Sequence, residues 1–143
     1  MSWIGGRGDI GTGFVILIGV GPTDTDATAV KMAEKVCQMR VFADAEGRMN
    51  RSLEDVGGAA LVVSQFTLYA DLSRGRRPSF VGAAEPAAAN TLYQRFGDAI
   101  RQRGITVETG SFGAEMEVEL VNSGPVTVVI SSDDWATHIA GLG

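Results

Sequence analysis

Ala59-Ala-Leu-Val-Val-Ser-Gln-Phe-Thr-Leu68 begins as an unbroken apolar run and turns polar towards its C-terminal end. Aliphatic residues without polar alternation predict a strand covered on both faces, the pattern of a sheet flanked by other layers. In open α/β sheets the chemistry gathers where strands end. Taken as strand to Leu68, the run sends Ser64 and Phe66 to one face and Gln65 and Thr67 to the other. Two readings stand side by side here. Either the strand is leaving the core and its hydroxyls and amide bond turn backbone, or these side chains line a site.

Working outward, Ile10 to Val20 reads as another strand and Gly21-Pro22-Thr23-Asp24 as a turn. Thr23 is the expected helix cap, with Asp26 three residues on. Ala29, Val30, Ala33, Val36 and Cys37 then recur at helical spacing, with Lys31, Glu34, Lys35 and Gln38 mostly on the other side, so Cys37 is read as core. Arg40-Val-Phe-Ala43 is a short strand, followed by turn residues Asp44-Ala-Glu-Gly47 and then Arg48-Met-Asn50. Glu85-Pro86 opens a second helix, with proline at its first position, and Gly104 closes it. Its buried stripe is Ala89, Leu92, Tyr93, Phe96 and Ile100. Strands are expected again at Ile105 to Thr109 and from Met116 to Ile130. The pattern predicts an α/β fold: one domain of mixed β-sheets packed in layers, with two main helices on one face.

The last β-rich stretch is interrupted by Asn122-Ser-Gly-Pro-Val-Thr127. Proline lacks the backbone N–H that a ladder needs, and glycine lets a second backbone approach closely. The segment reads either as a hairpin turn or as a rigid surface of bare carbonyls against which a ligand's shape is tested.

Composition narrows the function classes. The chain has 143 residues, is 45% hydrophobic and has room for one domain with a real core. No apolar run reaches membrane-spanning length, and residues 1–7 lack the pattern of a secretory signal. With a lone cysteine, no disulfide is expected. A cytoplasmic location is the default expectation. A net charge of −5 argues against coating nucleic acid through bulk electrostatics. Even so, Arg74, Arg76 and Arg77 share one loop, while Arg95, Arg101 and Arg103 share a later segment, and a local patch can hold an RNA end.

Catalytic signatures are sparse. The lone histidine, His138, lies near the C-terminus, so a serine triad or a cysteine–histidine pair has no well-placed base. Metal-ligand spacing, phosphate-loop and dinucleotide glycine patterns are not found, and neither a metal nor a cofactor is implied. An enzyme built on this chain works by positioning and by backbone donors.

Taken together, Ser64-Gln-Phe-Thr-Leu68 and Asn122-Ser-Gly-Pro-Val-Thr127 change the balance. The chain resembles the D-aminoacyl-tRNA deacylases (D-tyrosyl-tRNA deacylases), whose motifs Ser-Gln-x-Thr-Leu and Asn-x-Gly-Pro-Val-Thr occur in this order. Phe42-Ala-Asp-Ala-Glu-Gly-Arg-Met-Asn50 and Arg77-Pro-Ser-Phe80 are similar to that family too. The resemblance runs from about Asp9 to Ile130. It divides the chain into an atypical N-terminal segment 1–8, a deacylase-like domain 9–130 and a C-terminal tail 131–143. Relatives usually open with a strand ending Gln-Arg-Val, so the resemblance also implies that the first family strand is missing or replaced. In the tail, Trp135 and Ile139 lie at helical spacing and can dock on the domain; His138 is assigned no function.

The resemblance implies hydrolysis of the ester joining a D-amino acid to the terminal adenosine of tRNA, by a homodimer whose cis Gly-Pro peptide enters the pocket of the other subunit. Carried onto this chain, Ser64, Gln65, Phe66 and Thr67 form the catalytic segment, with the backbone N–H near Phe66 holding the developing oxyanion. Thr67 is not expected to act as nucleophile, because no base is placed to activate it. The ribose 2′-hydroxyl assists the attacking water instead. Gly124 and Pro125 form a chiral gate, and Asn122, Val126, Thr127, Arg77, Pro78, Ser79 and Phe80 bind substrate. Such a gate admits glycine, which has no side chain to reject. Two rivals differ from this expectation: a relative with relaxed chirality that removes L-alanine from tRNA, and a module that binds tRNA ends or a partner without turnover.

Overall fold

The apolar run 59–64 is paired on both edges and covered on both faces, which is why it has no polar alternation. The computed structural model describes residues 9–134. Strand β1 (Gly13–Ile18) is followed by helix α1 (Asp26–Gln38) and a two-stranded unit, β2 (Phe42–Ala43) with β3 (Met49–Arg51). Strand β4 (Ala59–Ser64), helix α2 (Pro86–Arg101) and strand β5 (Val107–Thr109) complete the frame. β1, β4 and β5 make a parallel sheet with β4 in the middle, while β2 and β3 pair antiparallel. The register runs from Gly13 opposite Ala59 to Ile18 opposite Ser64, and Ala60 stands opposite Val107.

Alternation along β4 divides the core. Ala60 and Val62 face the helices and join Ala29, Ala33, Val36, Cys37, Phe96 and Ile100 in one cluster. Leu61 and Val63 face the other way and are covered by Ile10, Met116 and Val118. Full burial of each large aliphatic or aromatic side chain contributes about 1.5–3 kcal/mol, so these two layers outweigh any surface contact. The bond from the Tyr93 hydroxyl to the Val62 carbonyl, 3.2 Å, ties α2 to the middle of β4. α1 and α2 also pack on one another, as expected of two helices sharing one face. The ion pair Arg95–Asp26 between them, 3.0 Å, is solvent-exposed and adds at most about 1 kcal/mol.

Local chemistry accounts for most element boundaries. Pro86 opens α2 as the sequence suggests. α1, however, is capped by Thr25 rather than Thr23, because Thr25 and Thr28 exchange side-chain-to-backbone bonds of 3.3 and 3.1 Å. Asp24 is already committed to the preceding turn, where its carboxylate accepts the Gly21 amide at 2.8 Å. β1, the strand at 40–43 and β5 are each shorter than expected, at Gly13–Ile18, Phe42–Ala43 and Val107–Thr109. In the turn before β3, the Asp44 carboxylate accepts the amides of Glu46 and Arg48 at 2.9 and 3.0 Å.

Two expectations are corrected. The strand expected to reach Leu68 stops at Ser64, and Phe66–Tyr69 coils as a 3-10 turn. β1 ends opposite Ser64, so beyond Gln65 no neighbouring strand offers ladder partners. The strands expected from Met116 to Ile130 carry no ladder. Met116 and Val118 still turn inward while Glu115, Glu117 and Glu119 face solvent, so the period-2 pattern packs side chains without pairing backbone. The expectations for residues 1–8, and for Trp135, His138 and Ile139, lie outside the described residues.

Cys37 is fully buried and its thiol is pushed up to about 11, chiefly by desolvation. In the unfolded chain it ionises near its ordinary 9.0. Above that value the unfolded state binds fewer protons than the native state, so this contribution to stability holds below pH 9 and is lost between pH 9 and about 11. Urea melts of wild type and Cys37→Ala across that range should show the wild type losing the larger share. A thiol reagent at pH 8 should label the native protein only as fast as it opens; immediate labelling would contradict the burial.

Candidate functional site

The end of β4 sets out the first group of residues. The Gln65 amide donates to the Ile18 carbonyl at 2.8 Å, the last tie to β1. The chain then coils, with the Leu68 amide bonding the Gln65 carbonyl at 3.2 Å and the Ala70 amide bonding Thr67 at 3.1 Å. As the first amides of this 3-10 turn, those of Phe66 and Thr67 have no carbonyl inside it to bond. Gln65 Nε2 donates to Thr67 Oγ1. Thr67 is thus a hydrogen-bond acceptor from an amide, and no base bonds it among the described residues.

Tyr69 anchors the turn, and the sequence reading missed it. A Cβ on Gly21 would lie 2.7 Å from the Tyr69 hydroxyl oxygen, so glycine there is what admits the ring. Burial, then the carboxylates of Asp24 and Asp133, push the Tyr69 phenol above its ordinary range and keep it neutral. Glycines 19 and 21 before an aromatic at 69 are a faint sequence signal at best, since nothing in the chain announces that they meet.

Phe80, from the segment 77–80, comes to the same place. Its ring meets Phe66 edge-on, with centroids 5.0 Å apart and planes at 73°. Next to it, Asp71 and Ser79 exchange two backbone bonds of 2.8 Å and close the loop between them. The Asp71 carboxylate lies below its usual range because the Ser73 hydroxyl and amide both donate to it. Arg77, Pro78 and Ser79 are exposed on this loop.

The second motif forms its own unit. Asn122 Oδ1 accepts the Val126 amide at 3.0 Å, and its Nδ2 donates to Thr127 Oγ1 at 3.1 Å. One side chain therefore braces both ends of the turn that carries Gly124 and Pro125, whose peptide bond is cis. Gly124 has φ +125, and a Cβ on it would lie 2.8 Å from Val126 Cγ2. Conformation and space both demand glycine there. Residues 122–127 are all exposed.

The structure brings Phe66 against Phe80 and Gln65 onto Thr67, but no hydrogen bond, ion pair or ring contact among the described residues joins 122–127 to either segment. Neither motif contributes to the lining of two cavities elsewhere among the described residues. One cavity of about 350 Å³ lies between the start of α1 (Thr23, Asp24, Thr28, Lys31) and Ser132–Asp133. A smaller one of about 140 Å³ lies beside the Arg103–Glu54 ion pair.

Comparison with known proteins gives a consistent picture. The family described as D-Tyr-tRNA(Tyr) deacylase matches residues 5–131. A D-aminoacyl-tRNA deacylase of Symbiobacterium thermophilum is 55% identical over 91% of this chain and 87% of its own length. A Bacillus subtilis relative, named an inactive D-aminoacyl-tRNA deacylase, is 51% identical over 87% of this chain and 95% of its own. The solved structure of a c-Myc DNA unwinding element binding protein superposes with a TM-score of 0.79 at 34% identity, covering 86% of this chain and 84% of that one.

Replacing Asn122 by alanine removes two bonds that together hold the turn. Loss of one such bond costs about 1 kcal/mol, so hydrogen exchange at the Val126 amide should quicken roughly five- to tenfold in Asn122→Ala while β4 amides keep their protection. Unchanged exchange at Val126 would show that the turn holds its shape without the asparagine.

Proposed function

The chain belongs to the D-Tyr-tRNA(Tyr) deacylase family of hydrolases, and on that premise we propose that it cleaves the ester of D-aminoacyl-tRNA and of glycyl-tRNA while rejecting L-aminoacyl-tRNA. The observation that supports this reading is the Asn122 brace on a turn whose Gly124 and Pro125 are exposed. A surface made of backbone cannot rotate aside as a side chain can. An L side chain pressed against it meets a fixed clash, whereas hydrogen at the same position does not.

In this reading the first amides of the 3-10 turn, at Phe66 and Thr67, receive the negative charge that develops on the ester carbonyl oxygen. Donors fixed in place before reaction are worth most in a water-poor site. Water attacks the carbonyl carbon, the bond to the ribose oxygen breaks, and the products are free amino acid and tRNA. The neighbouring 2′-hydroxyl of the substrate orients the water, because no base bonds Thr67 among the described residues. Thr67, held by Gln65, shapes the pocket and does not attack.

Among the described residues no hydrogen bond, ion pair or ring contact joins the two motifs within one chain, and the reading includes a homodimer in which the Gly124–Pro125 turn of one subunit closes the 64–67 and 77–80 pocket of the other. Val121 and Val129 are 93% and 91% exposed on either side of that turn, apolar surface that a second copy would cover. The work takes place in the cytoplasm in this reading; among the described residues no helix is long and apolar enough to cross a membrane.

The Bacillus subtilis relative named inactive favours a second reading, a module that binds tRNA ends without turnover. Single-turnover assays with enzyme in excess separate the two. D-tyrosyl-tRNA and glycyl-tRNA should be cleared while L-tyrosyl-tRNA survives, and Thr67→Ala should stay within about tenfold of wild type. Intact D-tyrosyl-tRNA would favour the binding module. Loss of several orders of magnitude in Thr67→Ala would restore a threonine nucleophile, and an active monomer by sedimentation would remove the shared pocket.

A further inference from the structure

The described arginines differ in their partners: Arg40 donates to Asn50 and Arg51 to the Asp55 carbonyl. Arg95, Arg101 and Arg103 are committed to Asp26, Asp98 and Glu54. Arg74, Arg76 and Arg77 are exposed and have no ion-pair or hydrogen-bond partner among the described residues. The chain as a whole is acidic, with 17 carboxylate and 12 cationic side chains. The Arg48 and Lys35 side chains are likewise exposed and unpaired among the described residues, but each stands singly; three free guanidinium groups within four residues set this loop apart on an acidic chain. Asp71, the carboxylate nearest in sequence, is occupied by Ser73 at 2.9 Å.

The loop that carries them has a fixed root. The paired Asp71–Ser79 bonds close it, and Phe80, the next residue, lies edge-on against Phe66 at the 3-10 turn. From that closure about four residues lead outward on either side, a reach of roughly 13 Å at full extension. We infer that Arg74 and Arg76, with Arg77 nearer the root, form a phosphate clamp for the RNA strand leading to the aminoacylated terminal nucleoside. This rests on the reading of the 64–67 segment as the ester-cleaving site. The ester sits on the last ribose, so the phosphodiesters behind it leave the pocket on the solvent side, where this loop stands. Guanidinium groups bind phosphate oxygens through a planar fork of donors. Contacts of this kind position a strand without reading its bases, so the clamp serves any tRNA that shares the same single-stranded end.

The test compares two substrates, D-tyrosyl-tRNA and the D-tyrosyl ester of adenosine, which has the reacting bond and no phosphate. In the double variant R74Q/R76Q the ratio of kcat/KM for the tRNA ester to that for the adenosine ester should fall about tenfold at low salt. The slope of log kcat/KM against log salt for the tRNA ester should shrink by about 1.4, or about 0.7 per lost contact to a single strand. An unchanged ratio and slope, with the tRNA ester still cleaved, would overturn the clamp and leave the proposed activity standing. If wild type hydrolyses neither ester, the activity fails, and the clamp is read from binding alone. Anisotropy with an oligoribonucleotide ending in CCA should show weaker, less salt-dependent binding by R74Q/R76Q, and equal binding by the two proteins would overturn it. Both side chains are exposed, and matching circular dichroism and melting curves check that the variant is folded.

Discussion

The pairing of β4 on both edges is the constraint from which the rest follows. Ala60 and Val62 can enter the helical layer only because Leu61 and Val63, one residue out of phase, find cover on the opposite face. A slip of one residue would exchange the two sets and put alanine where leucine fills space. The same pairing decides where the candidate site begins. β1 ends at Ile18, so β4 loses its neighbour after Ser64, and the chain turns at once into the coil that begins with the Phe66 and Thr67 amides.

Two devices then hold the polar residues in place, and neither is large. Tyr69 packs over Gly21 and keeps the 3-10 turn against the end of β1, while the Phe66–Phe80 contact joins that turn to the root of the arginine loop. Asn122 does comparable work on its own turn with two hydrogen bonds. Exposed bonds of this kind contribute about 1 kcal/mol each, little against the burial of Phe96, Ile100 and Leu61. The core supplies stability, and these local braces supply orientation. The proposed catalysis by positioning demands the second as much as the first.

Electrostatics is arranged with similar economy. Most of the described carboxylates face solvent, and three that bond neighbouring backbone, Asp44, Asp55 and Asp71, are held below their usual range by the donors they accept. These residues are structural turn-formers. Among the described residues, the one run of three exposed, unpaired arginines within four residues, Arg74, Arg76 and Arg77, stands on the loop whose root meets the 3-10 turn.

Much of the fold was legible in the residues themselves: the continuous apolar run at 59–63 for a central strand, Pro86 for the start of α2, helical spacing for the burial of Ala33, Cys37, Phe96 and Ile100. These signals are local, and the core they describe is set by periodicity. The motifs at 64–68 and 122–127 were legible as candidate sites through their resemblance to a family, and the demand for glycine at 124 follows from backbone chemistry. What the chain alone could not reveal is where pairing stops. Residues 65–68 and 116–130 have strand-like composition, yet a strand exists only where a neighbour offers its backbone groups, and neighbours are decided by the tertiary arrangement. The same reason hides Tyr69 on Gly21, Phe80 on Phe66, and the division of the arginines into paired and free. Each depends on which distant residue arrives within a few ångströms, a fact that no window of sequence contains.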